Sequence, residues 1–426
     1  MTDLVIRGDG ADIAIEDGTI SATGPELDIK AKREIDARGL LILPGVIDVH
    51  VHFNEPGRED WEGAATGSGA FATGGGTLYF DMPLNSTPCT VGLREFEQKR
   101  AALERASVTD FALWGGIVPG NRGALAELAA LGVIGFKAFM SDSGLAEFPR
   151  ADDLTLYEAM LEAAKGGLPV AVHAESDEIT GGLSRRAQAE GRTGIRDYLK
   201  SRPIVAEVEA IHRAALLARE AKAKLHIVHI SSGRGVAAAL EARALGTDIT
   251  IETCAHYLFF TDEDMEQIGA AAKCAPPLRP LAERDSLWRH LEQGHIDIVA
   301  SDHSPAPPDM KQDPNFFKVW GGIAGVQSTL NVLLSRGLPA NLVLAENPAA
   351  RFRIPKKGRI AVGYDADLVL VDADAEFQLN AGDLMQRHAI SPYVGYHFRG
   401  AIRQTFLRGI EAPQCSKGRF VRPLQS

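Results

Sequence analysis

Cysteine is scarce in these 426 residues. There are four, Cys89, Cys254, Cys274 and Cys415, and no two form a CxxC pair. That spacing excludes a zinc finger and a disulfide framework and fits reduced thiols. Long apolar runs are missing too. No stretch reaches the roughly 20 apolar residues that a membrane span needs. The N-terminal MTDLVIRGDGADIAIEDG lacks the basic start and apolar core of a signal peptide. No membrane association and a cytoplasmic location are therefore expected. Positive charge is also short: 45 Lys and Arg against 56 Asp and Glu leave a net charge of -11. Such a chain is poorly matched to a phosphate backbone or an anionic lipid surface, so no nucleic-acid partner is expected. Repeats and low-complexity segments are absent. What remains, 45% apolar and 24% charged, is a globular composition. The length allows two or three domains, or one large domain with a satellite.

From about residue 40 onward, eight short apolar runs are bounded by Gly, Pro and Asp: LLILPGVIDVHVH, TLYFDMP, DFALWGGI, VIGFKAFM, PVAVHAE, KLHIVHIS, DITIETCAHYL and IDIVASDHSP. Between them lie helix-like stretches such as LREFEQKRAALERA and VAEVEAIHRAALLAREAKA. Alternating strands and helices predict parallel βαβ units, and eight of them over some 300 residues predict an α/β fold, a (β/α)8 barrel over 46–354. Residues 1–45 and 355–426 contain short alternating strands, among them 356–372 and 401–410. Those two β-rich ends predict one small β-sandwich built from both termini. The longest irregular insertion, about 176–203, would form a rim lid or a contact between subunits.

The polar residues that look chemical sit at the C-terminal ends of the runs: His50, His52, Asp81, Lys137, His173, His229 and Asp302. In a barrel those ends form one face, where active sites lie. His50 and His52 are two residues apart on a strand and so share a face. With His173, His229 and Asp302 they make four imidazoles and a carboxylate at one mouth, a set that suits zinc or a similar divalent ion. Lys137 stands in an apolar strand, where a buried charge is costly. It is either paired with a barrel carboxylate or kept neutral by nearby cations. A neutral amine can add carbon dioxide, and the resulting carbamate can bridge two metal ions. His226 and His303 have the opposite strand parity to their neighbours, which directs His226 toward the helices and makes His303 a supporting residue rather than a ligand. His256 has the same supporting position at a strand end. His290, His295, His388 and His397 read as surface or core residues.

DVHVHF, the strand lysine, HAE, VHIS and SDHSP together resemble the cyclic amidohydrolases of the amidohydrolase superfamily, over essentially the whole chain. Dihydroorotases, hydantoinases and allantoinases share this set. A dihydroorotase typically has an Arg two residues past the second histidine, to grip a substrate carboxylate; here that position is Asn54. NEPGREDWEG, DMPLNSTP, GGIVPGN, GFKAFMSDSG, KSRPIVAEVEAI, SDHSPAPPDMK and WGGIAGVQ are each similar to allantoinase segments. Two positions depart from the usual pattern, Ala306 for Cys and Ala255 for Pro, and neither is a ligand position.

The resemblance implies a binuclear centre. His50, His52 and Asp302 would hold the more buried metal, and His173 and His229 the second. Lys137, as N6-carboxylysine, and a hydroxide would bridge them. Zinc is the expected metal, with cobalt or manganese as alternatives. Asp302 would shuttle the proton while a cyclic amide is hydrolysed, with allantoin opened to allantoate. Asn54, Asn85 and Ser304 are the expected substrate contacts. The family also implies a homo-oligomer, with a tetramer favoured.

Overall fold

Apolar strands alternating with amphipathic helices wrap the middle of the chain into a closed parallel barrel, and the two ends of the chain pair beside it. The computed structural model describes residues 2–424. Five strands come first: β1 (Thr2–Arg7), β2 (Asp12–Glu16), β3 (Thr19–Gly24), β4 (Ala31–Asp36) and β5 (Leu41–Pro44). The barrel follows, with β6 (Val46–Val51), β7 (Gly76–Asp81), β8 (Asp110–Leu113) continued by β9 (Gly115–Gly116), β10 (Phe136–Phe139), β11 (Pro169–His173), β12 (Lys224–Ile227), β13 (Ile249–Cys254) and β14 (Ile298–Ala300). All neighbouring barrel pairs are parallel. The ring closes where Val51 bridges to His303 and the His52 amide donates to the His303 carbonyl at 2.8 Å.

Inward side chains, among them Ile47, Val49, Leu78, Phe80, Trp114, Ala171, Val228 and Ala300, form one buried cluster. Phe352 joins it and meets the rings of Phe80 and Trp114 edge-on. The alternate residues pack against the surrounding helices. The helix Ile204–Ala221 shows how these are held. Its buried residues Ile204, Glu207, Ala210, Ala214, Ala218 and Ala221 recur at three and four, and with Ala206, Ile211 and Ala215 beside them they make one face.

The terminal strands form two four-stranded sheets. One has the order β3-β2-β1-β4. The other, β17-β16-β15-β5, adds β15 (Leu368–Gln378), β16 (His397–Leu407) and β17 (Ile410–Ala412). Leu4, Ile6, Ile13, Ile15 and Ile20 of the first meet Leu368, Leu370 and Phe406 of the second in a common core. Gly45 alone separates the sandwich strand β5 from the barrel strand β6. A Cβ there would lie 2.2 Å from Thr77 Oγ1, so no other residue fits.

Three expectations need correction. The strand expected at 356–372 begins only at Leu368, because 356–367 is a loop that buries Lys357 between Asp365 and Asp367. The segment 355–426 does not all belong to the sandwich. Near its end it returns to the barrel, where the Phe111 amide donates to the Arg419 carbonyl and the Val421 amide to the Phe111 carbonyl. The insertion at 176–203 is not irregular but carries two helices, Asp177–Ala189 and Ile195–Ser201. The first buries only Thr180 and Ala187, so it has no apolar stripe to betray it.

Candidate metal centre

The barrel mouth holds a cavity of about 400 Å³ whose lining includes His50, His52, His173, His229, Asp302, Asn85 and Ser304. Each reaches it by a local device at a strand end. On β6 a register shift between Asp48 and Val51 re-phases the strand. Ile47 and Val49 therefore point inward, while Val51 and Phe53 pack outward and leave His50 and His52 on the inner face. His229 and Asp302 lie just past the ends of β12 and β14 in the left-handed region, with φ of 41° and 46°. Asn54 and Asn85 adopt it as well, at 64° and 71°. Such backbone is uncommon outside glycine and clusters at functional sites.

Asp302 Oδ1 lies 3.2 Å from His50 Nε2 and 3.4 Å from His52 Nε2. The donor atoms of these three residues all fall within 4.8 Å of one another. His173 Nδ1 faces His229 Nε2 at 3.0 Å. Lys137 is wholly buried, its Nζ without a hydrogen-bond partner, 5.0 Å from the Phe139 ring centroid and within electrostatic reach of His50, His173, His229 and Asp302. No ion pair of the kind that one reading of Lys137 required is formed with Asp302 or Glu252. Burial lowers the lysine to about 8, although both carboxylates act to raise it. Burial also lowers His50, His173 and, further, His229, which favours the neutral imidazoles that metals bind. For Asp302, burial acts to raise the carboxyl, but His50, His52 and His229 outweigh it and hold it well below the usual carboxylate range. Four imidazoles and an ionised carboxylate around an unpartnered amine are a donor set that fits divalent cations.

Two glutamates support this group and were not identified from the sequence. Glu252, on β13, accepts from His50 Nδ1 at 3.0 Å, His226 Nε2 at 2.8 Å and the His229 amide at 3.0 Å. Glu175 accepts from His173 Nε2 at 2.9 Å and pairs with Arg202. Burial would raise both carboxyls, yet each lies at about 2, Glu252 chiefly through His50 and Glu175 chiefly through Arg202. Glu252 orients the imidazoles of His50 and His226 and Glu175 that of His173, as buried carboxylates do around metal-binding histidines. The sequence carried the signal for Glu252: it is a charged residue inside the apolar run ITIETC, as Lys137 is in its own strand.

His226 does not face the helices. It points inward, with its ring centroid 6.1 Å from Trp114 and 5.4 Å from Phe352. Its parity with His229 misled because β12 ends at Ile227 and the left-handed turn at His229 re-aims that side chain. Asn54 is buried behind the residues that line the cavity, and its amide donates to the Pro305 carbonyl at 3.4 Å. The strand that would have kept it at the mouth stops at Val51. Asp81 is engaged elsewhere, in a buried pair with Lys99 at 2.5 Å. His303 turns away toward Glu62, at 3.7 Å. His256 is buried beside Tyr257, and burial lowers it to about 4. Asn85 Nδ2 donates to Ser304 Oγ at 3.2 Å across the cavity wall.

Among the described residues, no helix is long and apolar enough to cross a membrane. The amidohydrolase family model matches residues 41–412. The allantoinase of Solibacter usitatus (strain Ellin6076) is 65% identical across 99% of this chain and 97% of its own. That of Rubrobacter xylanophilus (strain DSM 9941) is 55% identical across 99% of this chain and 98% of its own. Among solved structures, the L-hydantoinase (dihydropyrimidinase) from Arthrobacter aurescens superposes with a TM-score of 0.95 at 33% identity, covering 99% of this chain and 100% of that one. A D-hydantoinase (dihydropyrimidinase) from Thermus sp. gives 0.91 at 28%, covering 99% of each. With its barrel, its histidine and carboxylate cluster and this similarity along its length, the chain belongs to the amidohydrolase family.

Proposed function

We propose that this chain is an allantoinase, which hydrolyses one cyclic amide bond of allantoin to give allantoate. The observation that carries the reading is its likeness, end to end, to the allantoinases named above. The cavity supports it with the residues such a hydrolysis needs. His50, His52 and Asp302 would hold one divalent ion and His173 and His229 a second. Lys137 would join both as a carbamate, formed when its neutral amine adds to the carbon of carbon dioxide and releases a proton. The cations, when bound, supply Lewis-acid polarisation of the amide carbonyl and a nucleophilic water at neutral pH, and zinc is the metal proposed.

The chain's own residues do the rest. Asp302 turns Oδ1 to the two histidines, which leaves Oδ2 to take a proton from the attacking water and deliver it to the departing ring nitrogen. One carboxylate thus serves as base and then as acid while the C–N bond breaks. Asn85 and Ser304 present an amide and a hydroxyl, both able to donate and accept, to the neutral ureido groups of the substrate. Glu252 and Glu175 hold the imidazoles of His50 and His173 with the correct nitrogen turned toward the centre.

The solved hydantoinases favour a second reading, the opening of a hydantoin or dihydropyrimidine ring without the ureido arm. A panel of allantoin, hydantoin, dihydrouracil and dihydroorotate, assayed with protein reconstituted with zinc, decides between the two. The highest kcat/KM is expected on allantoin. A preference for hydantoin or dihydrouracil would replace the first reading by the second.

A further inference from the structure

One wall of the cavity is the loop that follows β14, of which Phe317, Lys318, Val319, Trp320, Gly321 and Gly322 all face the opening. A loop of this length on a barrel rim is ordinarily mobile. Here its main-chain carbonyls converge on two ammonium groups. Lys273 Nζ donates to the carbonyls of Phe316 at 2.6 Å, Phe317 at 3.2 Å and Val319 at 2.5 Å. Lys311 Nζ donates to those of Trp320 at 2.9 Å and Gly322 at 2.8 Å. Five carbonyls within seven residues are therefore held by two lysine side chains.

Among the described residues, no carboxylate pairs with either lysine. Burial, with Arg202 and Lys311 nearby, lowers Lys273 to about 7, and burial lowers Lys311 to about 8. A buried amino group, protonated or not, is costly unless polar groups satisfy it, and here the loop carbonyls are those groups. Lys273 also joins the loop to the inserted helix Ile195–Ser201. Its Nζ stands 4.6 Å from the Tyr198 ring centroid and 5.3 Å from that of Phe316. The Tyr198 hydroxyl in turn donates to the Cys274 carbonyl at 2.8 Å. The loop meets the same insertion again where the Phe316 amide donates to the Thr193 carbonyl.

We propose that Lys273 is a positioning residue for substrate recognition: it fixes the 316–322 main chain as a rigid wall of the catalytic cavity, so that ligand binding does not have to order it. The part of this that concerns substrate rests on the allantoinase reading; the part that concerns the loop does not. Lys273→Met keeps the stem between the two rings and removes the three donors. KM for allantoin is expected to rise about tenfold while kcat stays within about threefold, because a loosened wall weakens binding before it disturbs chemistry. Bound metal, measured alongside, should be unchanged. Trypsin should cut after the exposed Lys318 at least about fivefold faster than in the parent protein. Lys273→Arg, which restores a charged donor, should recover part of both effects. Unchanged KM with unchanged cleavage would overturn the proposal, as would a fall in kcat at constant KM. If Lys273→Met does not fold, Lys273→Gln decides, because it keeps a polar side chain but too short a stem to reach all three carbonyls: faster cleavage after Lys318 is expected, and cleavage at the parent rate would overturn the proposal. Cleavage needs no substrate, so a parent protein inactive on allantoin would sink the activity reading and leave the loop to be judged by cleavage alone.

Discussion

In the proposed chemistry Lys137 Nζ is the pivotal atom. An amine buried without a partner among imidazoles has no structural purpose by itself, since a methionine would fill the same space at lower cost. Lys137→Ala should therefore lose activity by about 10²-fold or more while the fold survives, and a small carboxylic acid added to the variant should restore part of it. Full turnover without the additive would remove the carbamate. Asp302→Asn keeps an oxygen for the metal but cannot accept a proton. Turnover should fall by about 10²–10⁴-fold while at least one metal is retained, read by metal analysis beside steady-state kinetics. Glu252→Gln acts one layer out. The amide accepts less strongly from His50 Nδ1, and metal affinity in chelator competition should drop about 10–100-fold.

Among the elements, strand ends do most of the positioning, and they are also where sequence reasoning reached its limit. The eight strands were legible because each is a short apolar run between turn residues. His50, His52, Lys137, His173, His229 and Asp302 were legible because polar side chains at the ends of such runs stand out. Parity counting failed at His226 and Asn54. It assumes a continuous strand, whereas β12 ends before His229 and β6 before Asn54. A bulge or a left-handed residue has no compositional mark. Glu175 and Glu252 went unnoticed because each stands beside or within a run whose other residues drew the attention, Glu175 two past His173 and Glu252 inside ITIETC, and the hydrogen bonds are what show which imidazoles they hold. Element packing makes its own prediction at the chain's return to the barrel. A Cβ on Gly418 would stand 1.9 Å from the Thr109 carbonyl oxygen. Gly418→Ala should displace the tail from β8 and lower stability by ~1–3 kcal/mol in chemical denaturation, with bound metal unchanged.

For the molecule as a whole, barrel and sandwich are joined by a buried charge cluster. Lys357 Nζ reaches Asp110 at 2.7 Å, Asp365 at 2.8 Å and Asp367 at 2.6 Å, and Arg408 also pairs with Asp110. Asp110 opens a barrel strand, while Asp365 and Asp367 lead into β15. Lys357→Met strands these carboxylates beside one another and should cost ~3–5 kcal/mol, measured by urea denaturation. Adding Asp367→Asn to it should return part of that loss, because one uncompensated charge is gone. The sandwich has a further consequence, in time rather than space. Its first sheet is complete at Asp36, but β15, which carries the opposing Leu368 and Leu370, lies more than 300 residues downstream. At ribosomal rates of about 5–20 residues per second that gap lasts roughly 15–65 s. Throughout it the apolar face of Leu4, Ile6, Ile13 and Ile15 waits uncovered on the nascent chain, a surface that chaperones bind and that aggregation exploits. Chain termination before Leu368 makes the exposure permanent, so loss of about the last seventh of the polypeptide, outside the barrel strands, is expected to be felt first as insolubility.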